Sequence, residues 1–139
     1  MENINNILLI DEPVFNSINK QVIQMANASA FVNTSRDPRE ALEDLKNCIR
    51  VNYEEFPDVI FLDAAKPELD TWGFLDALHK FPEWIVKKCK VFVLSTATTG
   101  SKAIAERLKS YSMVADVLPK PLTADILELI FSRRQNIAA

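Results

Sequence analysis

Cysteine, histidine and surplus positive charge are all scarce in this sequence, and each scarcity removes a class of function. Cys48 and Cys89 are the only cysteines, far apart and without a CxxC spacing, so neither a disulfide framework nor a thiolate metal site is in view. They read as free thiols on helices or strand edges. His79 is the only histidine, which excludes a histidine-rich metal site. In the polar stretch Leu78-His79-Lys80 it reads as a solvated helix residue. Sixteen basic residues against nineteen acidic ones give a net charge of −3. With no basic surplus to neutralise phosphates, nucleic acid is not an expected partner. No apolar run approaches the length that spans a bilayer, and MENINN lacks a charged-then-apolar signal pattern. A cytoplasmic protein without a membrane partner is the expectation.

What is present is one domain's worth of chain. The 139 residues are 48% hydrophobic and 25% charged, a globular profile. The run Val59-Ile60-Phe61-Leu62 stops at a single carboxylate, Asp63. Short apolar runs of this kind, bounded by turn signals, predict strands buried on both faces, as in parallel sheets. Ile7-Leu8-Leu9-Ile10 is a second such run, stopping at Asp11 and Glu12. Val91-Phe92-Val93-Leu94 is a third, stopping at Ser95. Ala30-Phe31-Val32 and Met113 to Leu118 are weaker strands.

Helical spacing fills the intervals. Phe15, Ile18, Val22 and Met25 predict one buried face. Asp37-Pro38-Arg39-Glu40 predicts a helix start closed by a capping box, with Leu42, Leu45 and Ile49 as its buried stripe. Trp72, Phe74, Leu75 and Leu78 mark a third helix, broken at Pro82, with PEWIVKK as a longer connection. Ile104, Leu108 and Tyr111 mark a fourth, and Ile126, Leu127 and Ile130 a last one capped by Thr123. No internal repeat or linker appears. Five strands alternating with five helices predict a single α/β domain with a five-stranded parallel sheet, order 2-1-3-4-5, doubly wound and flavodoxin-like.

That order brings the carboxyl ends of four strands to one edge, where open α/β sheets place their ligands. The residues leaving them are Asp11 and Glu12, Asp63, Ser95 and Lys120. Neighbouring strands lie about 5 Å apart, so these side chains can converge. Three carboxylates repel one another unless a cation sits between them. Hard oxygen ligands open to water suit magnesium rather than zinc. A lysine and a hydroxyl beside them supply donors for an anion such as a phosphoryl group. Each residue also has a plain structural reading: Asp11 as a helix cap, Lys120 as an exposed side chain, Ser95 as a turn residue.

The segments ILLIDE, FLDAAKPELDTWGFLDAL, VFVLSTA and VADVLPKPLT resemble the four signature segments of response-regulator receiver domains, over about residues 5 to 133. The resemblance implies a phosphorelay receiver that accepts a phosphoryl group on Asp63 with Mg2+ and catalyses only its own modification and its reversal. It implies Asp11 and Glu12 as the acidic pocket, Ala65 as a main-chain magnesium ligand, Ser95 as the switch hydroxyl and Lys120 as the phosphoryl contact. The implied partners are a sensor histidine kinase or histidine phosphotransfer protein, and a downstream protein or a second copy. The latter would dock through the fourth helix, fifth strand and last helix, where Ile104, Tyr111, Ile126 and Phe131 stand among Lys102, Arg107, Arg133 and Arg134.

The chain departs from the family pattern at several points. Only Asp11 and Glu12 precede Pro13, where a further polar residue is usual. Thr71 stands where glycine commonly follows Asp70, Lys66 replaces an apolar residue before Pro67, and Val117 occupies the position of an aromatic switch residue. These departures support a second reading, a pseudo-receiver that binds proteins without phosphorylation. An aspartate-nucleophile phosphatase fits poorly, because the general acid it wants two residues after the nucleophile is Ala65.

Overall fold

The computed structural model describes residues 4–27, 29–64, 71–95 and 102–138, with 133–138 described by backbone alone. The elements run β1 (Asn6–Ile10), α1 (Pro13–Ala26), β2 (Phe31–Ser35), α2 (Pro38–Asn52), a 3-10 turn (Tyr53–Glu55), β3 (Val59–Asp63), α3 (Trp72–Leu78), α4 (Glu83–Lys88), β4 (Lys90–Ser95), α5 (Lys102–Lys109), β5 (Val114–Pro119) and α6 (Ala124–Ala138). The five strands form one parallel sheet in the order β2-β1-β3-β4-β5. The described residues thus contain six helices rather than five. Pro82 does end α3, but Glu83–Lys88 then forms a helix of its own: proline is tolerated just before a first turn, and Ile85 gives it a buried anchor.

Alternation along each strand sorts the core into two halves, one on either side of the sheet. Leu8, Ile10, Ile60, Leu62, Val91 and Val93 face α2 to α5. Ile7, Leu9, Val32, Val59, Phe61, Phe92 and Leu94 face α1 and α6, with Phe61 and Phe92 stacked at 5.7 Å. Both faces are covered, which is why these strands read as unbroken apolar runs. Each fully buried large side chain contributes about 1.5–3 kcal/mol relative to exposure.

The predicted face of α1 holds only in part. Met25 is 86% exposed and Ile18 42%, while Phe15 and Val22 are half-buried. The buried positions are Asn16, Asn19 and Ile23. Hydrogen bonding has overridden hydropathy here. Asn16 Nδ2 donates to the carbonyls of Asp11 (2.9 Å) and Ser35 (3.1 Å), clamping the ends of β1 and β2. Asn19 Oδ1 accepts the Leu122 N–H at 2.9 Å, tying α1 to the start of α6. Asn16→Ala should lower stability by about 1 to 2 kcal/mol, because the Asp11 carbonyl loses this donor and the Ser35 carbonyl keeps only the Asp11 N–H. A shift in the urea midpoint at unchanged slope is the measurement.

Capping follows the sequence in part. Asp37 caps α2 by accepting the Arg39 N–H at 2.8 Å, and Thr123 Oγ1 accepts the Ile126 N–H at 3.3 Å. The reciprocal arm of the expected capping box is replaced: Ser35 Oγ, rather than Glu40, accepts the Asp37 N–H at 3.3 Å.

Two side chains staple elements that lie far apart in sequence. At the amino-terminal edge of the sheet, buried Asp58 accepts the N–H groups of Asn5 (2.8 Å) and Asn6 (3.1 Å) through Oδ2 and pairs with Lys88 at 3.7 Å through Oδ1. His79 is half-buried rather than solvated. Its Nδ1 lies 2.8 Å from the Leu75 carbonyl, and its Nε2 accepts the Met113 N–H at 3.1 Å, joining α3 to the start of β5. Next to it the Trp72 ring stacks on Tyr111 at 6.2 Å, the Arg107 guanidinium lies 4.1 Å over Trp72, and the Tyr111 hydroxyl donates to Asp76 at 2.7 Å. Cys48 is half-buried and Cys89 fully buried, both as free thiols.

Candidate functional site

Parallel register builds the site. Ile10 pairs with Leu62, so the next residues, Asp11 and Asp63, leave neighbouring strands side by side. On the far side of β4, Ser95 pairs with Pro119, and the Lys120 N–H donates to the Ser95 carbonyl at 3.3 Å. The Lys120–Pro121 peptide is cis. From there the Lys120 side chain, only 4% exposed, reaches back across β4. Its ammonium donates to Asp63 Oδ1 at 2.8 Å and to the two Asp11 oxygens at 3.3 and 3.4 Å. The Phe15 ring lies 4.2 Å from Nζ and closes the other side.

These contacts set the charges. Burial pushes the Asp11 carboxyl up to about 6; the Glu12 N–H opposes this at 2.7 Å, the Asp63 charge adds to it, and Lys120 offsets part of it. Burial by itself pulls the Lys120 ammonium down, but its hydrogen bond to Asp63 and the charges of Asp11 and Asp63 outweigh that, leaving it above the ordinary lysine value. The lysine is therefore a fixed cation at neutral pH, and Asp11 is the group under electrostatic pressure.

The remaining predicted residues are less closely gathered. Asp11 does not cap α1; its Oδ1 is held by the adjacent N–H, and Glu12 takes the cap position without a side-chain bond. The Glu12 side chain is exposed. Ser95 sits half-buried at the end of β4, between the strands carrying Asp63 and Lys120. Ala65 lies outside the described residues. Thr71, buried where a glycine is usual in the family, donates from Oγ1 to the Asp63 carbonyl at 3.4 Å. Val117 is 40% exposed on β5. On the predicted docking face, Ile104 and Tyr111 pack into one half of the core, Ile126 and Phe131 into the other, and Arg133 and Arg134 lie outside the described side chains.

Among the described residues, no three acidic, histidine or cysteine side chains gather closely enough to hold a metal ion. The pair Asp11 and Asp63 still fits magnesium, which binds through one or two carboxylates and completes its shell with water and phosphate oxygens. Burial first, and the Asp63 charge second, raise the Asp11 carboxyl, so a cation beside the two carboxylates would favour the ionised form of both. Two functional residues were missed in the sequence. The spacing of Phe15 predicts a core residue, and its ring instead lies against the Lys120 ammonium. Asn16, which fixes the Asp11 carbonyl, carried no signal beyond its spacing from Asn19.

No protein-family model matches the chain, and no curated protein does. Solved structures do. A two-component response regulator from Cytophaga hutchinsonii is 21% identical with a TM-score of 0.82, covering 97% of this chain and 99% of its own. A response regulator receiver protein from Dyadobacter fermentans is 21% identical at 0.75, covering 93% and 95%. A two-component response regulator from Legionella pneumophila is 22% identical at 0.71, covering 94% and 99%. The chain has the fold of a response-regulator receiver domain.

Proposed function

We propose that this chain is a phosphorylatable receiver, taking a phosphoryl group on Asp63 from a phosphohistidine of a sensor kinase or phosphotransfer protein. The observation that carries this reading is the Lys120 ammonium held between Asp63 and Asp11 at the carboxyl edge of the sheet. A carboxylate attacks phosphorus poorly unless charge on both partners is offset, and phosphoryl transfer is driven mainly by positioning and electrostatics. An Asp63 oxygen forms the new bond to phosphorus as the bond from phosphorus to the imidazole nitrogen breaks. Lys120 neutralises a phosphoryl oxygen and Ser95 hydrogen-bonds another. Magnesium would be held by Asp11 and Asp63, with Glu12 and the Ala65 carbonyl as the further ligands the resemblance implies, and would supply charge neutralisation there. The product adds roughly −1.5 to −2 charge at the strand ends, drawing Ser95 inward towards the already buried Lys120.

The chain is thus a signalling switch rather than an enzyme acting on other molecules, working in the cytoplasm. Its output is a downstream protein or a second copy docking at α5, β5 and α6. No described helix is long and apolar enough to cross a membrane. With valine at position 117, β-branched and short, coupling from Ser95 runs through the α5 side rather than an aromatic swing.

The test is acetyl phosphate with magnesium and intact-mass detection. Wild type should gain one phosphoryl group, Asp63→Asn none, and Glu12→Gln should need more magnesium. Beryllium fluoride, a stand-in for the acyl phosphate, should change Trp72 emission. The pseudo-receiver reading is favoured by the lack of a third gathered ligand among the described residues. Absence of any mass gain, or equal gain in Asp63→Asn, would decide against phosphorylation at Asp63.

A further inference from the structure

We infer that the face formed by Tyr53 and Trp84 binds a cationic, partly apolar segment of another protein, at the opposite end of the sheet from Asp63. The helix that presents Trp84, α4, is the one absent from the five-helix pattern. Trp84 is 47% exposed and meets the Tyr53 ring edge-to-face, with centroids 5.5 Å apart and planes at 82°. Tyr53 is itself 54% exposed, and Val51 before it 81%. The two rings therefore hold each other in place and remain open to solvent. Tryptophan and tyrosine on rigid elements are the residues that most often anchor interfaces.

Charge selects the partner. Glu54 and Glu55 follow Tyr53 directly, both exposed, and neither forms an ion pair among the described residues. The nearby lysines are already engaged, Lys87 with Glu83 at 3.0 Å and Lys88 with Asp58 at 3.7 Å. Arg50 is turned back along α2 to Asn47 Oδ1 at 2.8 Å. What remains is two exposed carboxylates without an ion pair among the described residues, next in sequence to the exposed Tyr53 ring, with Glu55 also within electrostatic reach of the Cys48 thiol. A guanidinium suits both, pairing with a carboxylate and lying on a ring face. A second copy of this chain suits neither, because a two-fold contact would bring the same carboxylates together. The inference is independent of phosphorylation at Asp63.

The experiment uses the full chain and a fluorescein-labelled amphipathic peptide carrying arginines along a leucine face, read by anisotropy. Wild type should bind it, and the same peptide with glutamates in place of arginines should not bind. Glu54→Lys combined with Glu55→Lys should weaken binding by at least about tenfold, as should Trp84→Ala. Glu43→Lys combined with Asp44→Lys makes the same change in net charge elsewhere on α2 and should retain binding. Equal weakening by both lysine pairs would reduce the effect to general attraction and overturn the inference, as would no binding by wild type. A concentration-dependent dimer in sedimentation that Trp84→Ala abolishes would assign the face to a second copy instead. Circular dichroism checks that Trp84→Ala folds; the exposed glutamate pair carries the test if it does not.

Discussion

Lys120→Met should lower stability by about 3 kcal/mol in the presence of a chelator, and magnesium should restore much of the loss. Methionine keeps an unbranched apolar stem but removes the ammonium that lies over the Phe15 ring, so Asp11 and Asp63 face each other across the strand ends with no cation between them. Breaking a buried ion pair from one side costs about 3–5 kcal/mol, and protonation of Asp11 returns part of it. Without Lys120 the Asp11 carboxyl is pushed above its wild-type value of about 6, so the deficit should shrink as pH falls towards 6 and level off below it. Labelling by acetyl phosphate should slow by roughly a hundredfold or more, the scale of losing one preorganised charge in a transfer site. Denaturant midpoints with and without magnesium, together with labelling rates, measure both effects. A variant as stable and as reactive as wild type would mean that Lys120 is not the neutralising group.

Asp11→Asn should do the opposite, raising stability by roughly 2 to 3 kcal/mol at pH 7 to 8 without metal. The wild-type carboxyl sits at about 6 against an ordinary aspartate value of 3.8, and each pKa unit is worth about 1.4 kcal/mol. Because the folded value is the higher one, the native state binds more protons than the unfolded state between these limits. This group's contribution therefore improves as pH falls from about 6 towards 4, and its cost is complete above 6. Asparagine removes the charge and keeps an oxygen for the Glu12 N–H. The gap between variant and wild type should be widest at neutral pH, close below pH 4, and narrow when magnesium binds the wild type. A variant that is less stable at pH 7, with a gap independent of pH, would contradict the charge argument.

These two residues also show how far the sequence could be read. The five strands and their order follow from apolar runs of strand length, because in a sheet covered on both faces hydropathy outweighs every other local preference. The convergence of Asp11, Asp63 and Lys120 followed from that order, since a parallel sheet delivers every strand end to one edge. What hydropathy does not encode was misread. Asn16 and Asn19 look solvated, yet they are buried because backbone carbonyls and an N–H need partners there. His79 looks like a surface residue, yet it joins α3 to β5 through both ring nitrogens. The α4 helix is too short for its periodicity to stand out, and Pro82 disguises its start. Glu12 has the right chemistry in the right segment, but its side chain is exposed, and no spacing rule decides which way it turns.

The asparagines of α1 carry a consequence for how this helix tolerates change. Its rotation about its own axis is set by directed hydrogen bonds to Asp11, Ser35 and Leu122 together with buried Ile23, rather than by the predicted apolar stripe. Val14, Ile18 and Met25 can then drift to polar residues without turning the helix, while the two amides that look most replaceable cannot. Sequence divergence along α1 is in this sense inverted, free at its greasiest positions and locked at its most hydrophilic ones. A chain can wander far from its structural neighbours in sequence while the helix beside Asp11 stays indexed to the same angle.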